Sequence, residues 1–205
     1  LAIAQQKGEA LYRKTDFEQE NGLPKSLGEG NERLIYLRGG LSIRMFEGTL
    51  WQSVRINQQH SSDFPLISKF YLSGSSRIQT KGAKTIAADY TEISGCHYLY
   101  HLPDVTEIED WPANELYRIV IISAQLDYFR SFFGSEISLS SPLRRVLDGD
   151  KTQRFHQTLG QITPQMGQAL QQILQSPYQG IMRRMYLESK VLELLTLQFA
   201  HWAQK

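Results

Sequence analysis

Hydrophobic and polar positions change their period once along this chain. From Glu32 to Ile122, short runs of β-branched, aromatic and alternating residues recur at intervals of roughly 8–12 residues, the pattern of an antiparallel sandwich or barrel. RLIYLR, LSIRMFEGTLWQSVRIN, LISKFYLSGSSRIQ, KTIAADYTEI, CHYLYHL and ELYRIVII are the candidate strands. Gly39-Gly40, Gly48, Gly74, Gly82 and Gly95 stand between them, where tight turns call for positive φ. An antiparallel barrel is predicted for this part of the chain. The residues before it, 1–31, are polar, carry Leu23-Pro24 and the Gly28/Gly30 pair, and read as a loosely structured arm.

After Ile122 the spacing becomes helical. Leu126, Phe129 and Phe133 share one helical face, with Ser123 as the cap and Gly134 as the stop. A polar bridge, SEISLSSPLRRVLDGDK, leads to a tail that from Phe155 is almost free of strand formers. Thr163-Pro164 is a cap followed by a first-turn proline, and Met166, Leu170 and Ile173 give the helix it opens a buried stripe. Pro177 and Gly180 mark the start of a last helix. Ile181, Met185, Leu192, Leu195, Phe199 and Trp202 then follow the spacing of a seam, with Glu188 as its polar break, and Leu187, Val191 and Leu194 form a second line beside it. Two stripes are more than one packing partner needs. Either the helix packs wholly within its own subdomain, or one stripe covers that domain while the other meets a second copy, with Met185, Leu192, Leu195 and Phe199 as the dimerisation residues.

Strands followed by helices define an α+β chain. The expected division is an arm over 1–31, a barrel with its following helix over 32–135, and a helical dimerisation and coupling subdomain over 136–205. At 205 residues the chain can bury a real core. Lys and Arg number 22 against 21 Asp and Glu, a net charge of +1, which argues against this segment gripping nucleic acid by itself. Its single cysteine, Cys96, leaves no intrachain disulfide and fits a reducing interior. No stretch reaches the ~18 apolar residues of a membrane span, and the opening LAIAQQKGEALYRK lacks a signal peptide's apolar core. A cytoplasmic location is expected.

Catalytic signatures are missing: there is no nucleophile elbow, phosphate loop or glycine-rich dinucleotide turn. His97 and His101 share a strand face but stand about 13 Å apart at ~3.3 Å per residue, too far for one metal ion. Cys96 and His97 are strand neighbours pointing to opposite faces, so they cannot form an ion pair. What the barrel carries instead is a surplus of aromatic and cationic residues, among them Arg44, Phe46, Trp51, Arg55, Lys69, Tyr71, Arg77, Tyr90, Tyr98, Tyr100 and Trp111. These supply the wall of a pocket for a bulky aromatic or anionic ligand. The plainer alternative is core aromatics with surface cations. Arg44, Arg55, Lys69, Tyr71 and Tyr98 are the expected effector-binding residues.

Three blocks carry a resemblance: LISKFYLSGSSRI, HYLYHLPDVTEIEDWPANELYRIVI and LGQITPQMGQALQQILQSPYQGIMRRMYLESKVLELLTLQ. Over about residues 30–203 the chain resembles the sensor region of AraC-type transcription regulators of the pyochelin-regulator (PchR-like) branch. The resemblance implies a cupin-like antiparallel β-barrel of jelly-roll type that binds an effector, often a ferric siderophore. It further implies helices for homodimerisation and for coupling to a helix-turn-helix half that would lie beyond Lys205. A siderophore brings its own iron ligands, so no built-in metal or other cofactor and no enzymatic activity are implied. Alternatives remain open. Haem, with an axial ligand from His60, His97, His101 or Met45, is one; another iron chelate or a small aromatic metabolite is a second; a cupin-type metal-dependent enzyme is a third.

Overall fold

The computed structural model describes residues 12–129, 132 and 141–204. Along the chain run β1 (Tyr12–Lys14), β2 (Glu18–Gly22), β3 (Gly28–Tyr36), β4 (Leu41–Leu50), β5 (Val54–Gln59), β6 (Leu66–Ser73), β7 (Ser75–Lys81), β8 (Asp89–Ile93), β9 (Cys96–His101), β10 (Thr106–Trp111) and β11 (Leu116–Ala124). Then come α1 (Leu126–Phe129), α2 (Ser141–Leu147), β12 (Phe155–Gln161), α3 (Pro164–Leu174) and α4 (Gly180–Ala203). The chain from β4 to β11 folds as a nested hairpin. β7 pairs β8, β6 pairs β9, β5 pairs β10 and β4 pairs β11, all antiparallel. Lateral pairing of these couples gives an eight-stranded sheet, β1-β2-β3-β4-β11-β6-β9-β12, and a four-stranded sheet, β5-β10-β7-β8. That nesting is the cupin-like jelly roll.

Strand alternation divides the large sheet into two faces. Ile43, Met45, Phe70, Leu99, Val120 and Ile122 point to one side and join a single apolar cluster with Met166, Ala169, Leu170 and Ile173 of α3 and Leu187, Val191, Leu194 and Leu195 of α4. Each of these large side chains contributes about 1.5–3 kcal/mol by leaving water. Phe46, Lys69, Ile119 and Ile121, at the alternate positions, face the smaller sheet. The helices therefore cover the outer face of the barrel wall, and the inner face is left for a cavity.

Several elements differ from expectation. The segment predicted as a loose arm is sheet from Tyr12 on: β2 pairs β3 and β3 pairs β4 in register. Its polarity hid this, because an edge ribbon is held by backbone bonds and by cross-strand pairs such as Asn31 donating to Glu20 at 3.2 Å. Gly30 adopts φ +132°, and a Cβ there would stand 2.2 Å from the Glu47 carbonyl oxygen, so its role is close strand approach rather than looseness. The supposed helical tail over 136–205 contains β12, a largely polar strand that completes the large sheet beside β9, with a register shift between Thr158 and Gly160. The run LISKFYLSGSSRIQ breaks at Gly74, whose φ is +89° and whose Cβ would meet the Tyr117 ring at 2.5 Å. TEIEDW, which no apolar alternation announced, is β10.

At the barrel's end, Ser123 lies within β11 and does not cap a helix; α1 is a short turn of helix at Leu126–Phe129. Phe133 and Gly134, the other residues of that expected helix, lie outside the described residues. Thr163 caps α3 as expected, its side chain accepting the Met166 N–H at 3.2 Å. Among the described residues no helix is long and apolar enough to cross a membrane.

The two stripes of α4 separate in space. Leu187, Val191, Leu194 and Leu195 are buried in the core, and Phe199 packs against it. The predicted seam is therefore not continuous: Leu195 belongs to the domain's own core, because the sheet is wide enough to take both lines at that level. Leu192 is half-buried, while Ile181, Met182 and Met185 are exposed at 70, 62 and 57%. Glu188 is held by Arg38, with Nη2 donating to Oε1 at 3.1 Å.

Candidate functional site

Between the two sheets lies a cavity of about 360 Å3. Its walls follow from strand alternation. β5 contributes Val54, Ile56 and Gln58; β10 contributes Glu107, Glu109 and Trp111; β6 contributes Ile67 and Lys69. Arg44 and Phe46 come from β4, and Ile119, Ile121 and Ser123 from β11. Leu23 and Leu27, from the turn between β2 and β3, and Phe64 and Pro65 from the loop before β6 complete the wall. The segment expected to be an arm is thus part of the site.

A charged network lines this space. Lys69, only 4% exposed, places Nζ 2.7 Å from Glu92 Oε2 and 2.9 Å from Glu109 Oε1. Burial would lower the Lys69 ammonium, but Glu109 and Glu92 outweigh it and hold it well above the ordinary lysine value. Burial would likewise raise the Glu92 carboxyl; Lys69 and His156, whose Nε2 stands 2.9 Å from Oε1, overcome that and keep it below the ordinary carboxylate value. Glu109 Oε1 also accepts from the Tyr71 and Ser76 hydroxyls at 3.1 and 2.8 Å. Glu107 accepts from the Tyr90 hydroxyl at 3.0 Å and faces His60 Nε2 at 3.1 Å. The other nitrogen of His60 stands 2.9 Å from the Leu102 carbonyl oxygen, so the ring is held between a carboxylate and the backbone.

Aromatic rings enclose the rest of the cavity. Phe46 meets Trp111 edge-on at 5.1 Å, and Trp111 stacks on Tyr117 at 4.8 Å. Phe64 stacks between His60 at 4.0 Å and Tyr100 at 6.3 Å. Burial pushes the Tyr100 hydroxyl well above its ordinary value, so it is a neutral donor in this wall.

Of the expected effector-binding residues, Lys69 and Arg44 line the cavity, Lys69 deep and Arg44 half-exposed with Glu32 3.6 Å away. Tyr71 and Tyr98 face inward but are consumed in packing: they share an apolar cluster with Leu50, Tyr117 and Ile119 beside the cavity. Tyr98 accepts the Ile93 N–H through its hydroxyl at 2.8 Å, and burial raises that hydroxyl to about 12. Arg55 does not belong to the site. It alternates with the inward Val54 and Ile56, points outward and pairs with Asp110, Nη2 to Oδ2 at 3.0 Å. Arg77 is likewise outside, paired with Asp89.

Acidic residues were missed as wall residues. Glu92, Glu107 and Glu109 face inward with Trp111, and the alternation Glu107-x-Glu109-x-Trp111 was the available signal. His97 and His101 lie on the helix-facing side of their strand. His97 Nδ1 accepts from Gln198 Nε2 at 3.1 Å, and His101 Nδ1 stands 2.7 Å from the Gln153 carbonyl oxygen. Met45 is in the helix-facing core, so of the four residues considered as haem ligands only His60 reaches the cavity. Among the described residues, no group of three or more His, Cys, Asp or Glu could hold a metal ion. Cys96 is half-buried at the end of β9.

Fold and site together define a jelly-roll barrel that encloses a polar and aromatic, ligand-sized cavity, backed by helices. Residues 29–205 match the family described as the regulatory protein PchR N-terminal domain, and the chain belongs to that family. It is a regulator's sensing domain. No curated protein matches the chain in sequence.

Solved structures of similar shape include a mutant oxalate decarboxylase from Bacillus subtilis, 10% identical with a TM-score of 0.34 over 63% of this chain and 29% of that one. Another is BH2720 from Bacillus halodurans, 9% identical with a TM-score of 0.36 over 46% of this chain and 69% of that one. The 11S globulin from Wrightia tinctoria is 12% identical with a TM-score of 0.38, over 51% of this chain and 26% of that one. The chain spans under a third of the oxalate decarboxylase chain that it resembles.

Proposed function

We propose that this domain is the effector sensor of an AraC-type transcription regulator and that its effector is a ferric siderophore bound between the two sheets. The observation that carries the reading is the cavity of about 360 Å3, walled by aromatic rings and hydrogen-bonded charges, in a chain of a regulatory-domain family. A chelate supplies its own iron ligands, so such walls suffice without a cluster of protein ligands. The domain acts by binding and not by catalysis, works in the cytoplasm, and contacts DNA through a helix-turn-helix domain of the same regulator.

Signal transfer has a physical route. Gln198 of α4 is fully buried and ties the helix to the barrel wall. It accepts from Ser68 Oγ at 2.6 Å and donates to His97 Nδ1 at 3.1 Å and to the Tyr98 carbonyl at 3.2 Å. Ser68 is the neighbour of Lys69, and His97 the neighbour of Tyr98, so a ligand that shifts β6 or β9 on the inside shifts the holders of Gln198 on the outside. Effector binding changes the helix only by its differential affinity for the two arrangements. The exposed Ile181, Met182 and Met185 on the first turns of α4 are the apolar surface for a homodimer.

Isothermal titration of the purified domain with paired ferric and iron-free siderophores tests the effector assignment. Saturable one-to-one binding of a ferric form and not of its iron-free partner is the expected result. Equal binding of both forms, or of haemin alone, contradicts it.

A further inference from the structure

The walls of the cavity carry more negative than positive charge. Four carboxylates line it, Glu32, Glu92, Glu107 and Glu109, against two permanent cations, Arg44 and Lys69. His60 stands 3.1 Å from Glu107 and His156 2.9 Å from Glu92, so both imidazoles are already partnered by the wall's own carboxylates. Lys69 is committed to Glu92 and Glu109, and Arg44 lies near Glu32, so neither cation is free for an anionic ligand. The acceptors are not saturated. Tyr71, Ser76 and Lys69 all converge on Oε1 of Glu109, and among the described residues nothing donates to its Oε2. Phe46, Trp111 and Tyr100 line the same walls, and a ring face turned to a ligand carries negative π-density, which attracts a cation and repels an anion.

Building on the effector reading above, we infer that the ligand of this cavity is cationic, with a flat apolar body against the aromatic walls and a positive charge or N–H donors toward Glu107 and Glu109. A volume of about 360 Å3 lies near the low end of the ~300–1,000 Å3 range of small-molecule sites, so the occupant is compact. For a ferric chelate the condition is specific. The anionic donors around iron(III) must number fewer than three plus the count of pendant ammonium groups on the chelator, so that the complex is positive. Highly anionic chelates, such as a trianionic tris-catecholate, are rejected by the same carboxylates.

A matched pair of small probes separates this inference from the effector reading itself. Naphthylmethylammonium and naphthalenesulfonate share an aromatic body and differ in the sign of their charge. Titrated into the domain while Trp111 emission is followed in a Trp51→Phe, Trp202→Phe background, the cation is expected to bind at least about tenfold more tightly. Glu109→Gln should weaken the cation and strengthen the anion, narrowing the ratio by about tenfold. Glu32→Gln at the half-exposed rim is a second variant that does not disturb the buried ion pairs, and it should narrow the ratio in the same direction. Comparable binding of the two probes, or a ratio that neither substitution changes, overturns the charge assignment and leaves the cavity as a binding site. Binding of neither probe at millimolar concentration overturns the effector-cavity reading and this inference with it.

Discussion

Replacing Lys69 with methionine removes the ammonium while keeping most of the side-chain volume. Lys69 is 4% exposed and stands 2.7 and 2.9 Å from carboxylates of Glu92 and Glu109. Glu92 is itself 1% exposed, so the variant leaves a carboxylate that water cannot reach with His156 in place of two partners. Breaking a buried ion pair from one side costs about 3–5 kcal/mol. A domain is worth ~5–15 kcal/mol in total, so the loss runs from about a fifth of its stability to all of it.

The pH dependence carries the mechanism. In the parent protein the Glu92 carboxyl is held below its ordinary value, so its contribution is complete above the ordinary carboxylate range and is lost only as pH falls through the folded-state value. Without Lys69, burial is opposed by His156 alone and the carboxyl moves up from its value in the parent, so the destabilisation grows as pH rises through the carboxylate range toward neutrality. The stability gap between Lys69→Met and the parent should therefore be largest at pH 7 and shrink toward pH 5. Lys69→Met combined with Glu92→Gln should recover much of the loss. Urea denaturation at both pH values measures each quantity. A gap below ~1 kcal/mol at pH 7, or one that stays constant with pH, would refute the buried-network account.

Further predictions concern α4. Met185→Asp should leave the unfolding midpoint within about 0.5 kcal/mol of the parent, since the side chain is 57% exposed, yet shift sedimentation from dimer to monomer. Leu195→Asp places a charge in the core at a site 3% exposed and should abolish folding rather than only dissociate a dimer; retention of a native circular dichroism spectrum would contradict the packing. Gln198→Leu leaves Ser68 and the Tyr98 carbonyl without their partner and should cost about 1–3 kcal/mol. In the same variant, effector binding should persist while effector-dependent hydrogen-exchange protection in α4 disappears; unchanged protection would remove Gln198 from the transmission route.

How much the sequence revealed depended on whether an apolar period marked the element. β4, β6, β9 and β11 carry strong alternation because each buries one face against helices, and they were legible. β10 and β12 were not. Apart from Trp111, their inward residues are Glu107, Glu109 and His156, which are polar because they serve the cavity network, so a search for apolar period passes over the strands that equip the site. β1, β2 and the start of β3 were hidden for a related reason, being held by backbone bonds, with Leu23 and Leu27 of the connecting turn and Glu32 of β3 facing the cavity; only RLIYLR at the end of β3 showed in the pattern. Lys69 was identifiable as a wall residue from its place among apolar strand neighbours. Arg55 was misplaced because one step of register carries a side chain from the inner to the outer face. The two stripes of α4 were visible as a pattern, but which of them the sheet would cover depended on the sheet's width, which no local spacing encodes.

The central claim is that a small molecule binds inside the barrel, and the most direct measurement is fluorescence of Trp111 as the sole tryptophan during titration with a ferric siderophore. Trp111 lines the cavity, so quenching there reports occupancy rather than contact with the exposed Trp51 or the helix-packed Trp202. The account predicts saturable, one-to-one quenching by the ferric form that is lost when Ile121→Phe fills the cavity in a domain that remains folded. Quenching that persists undiminished in the filled variant would place the ligand elsewhere and contradict the account.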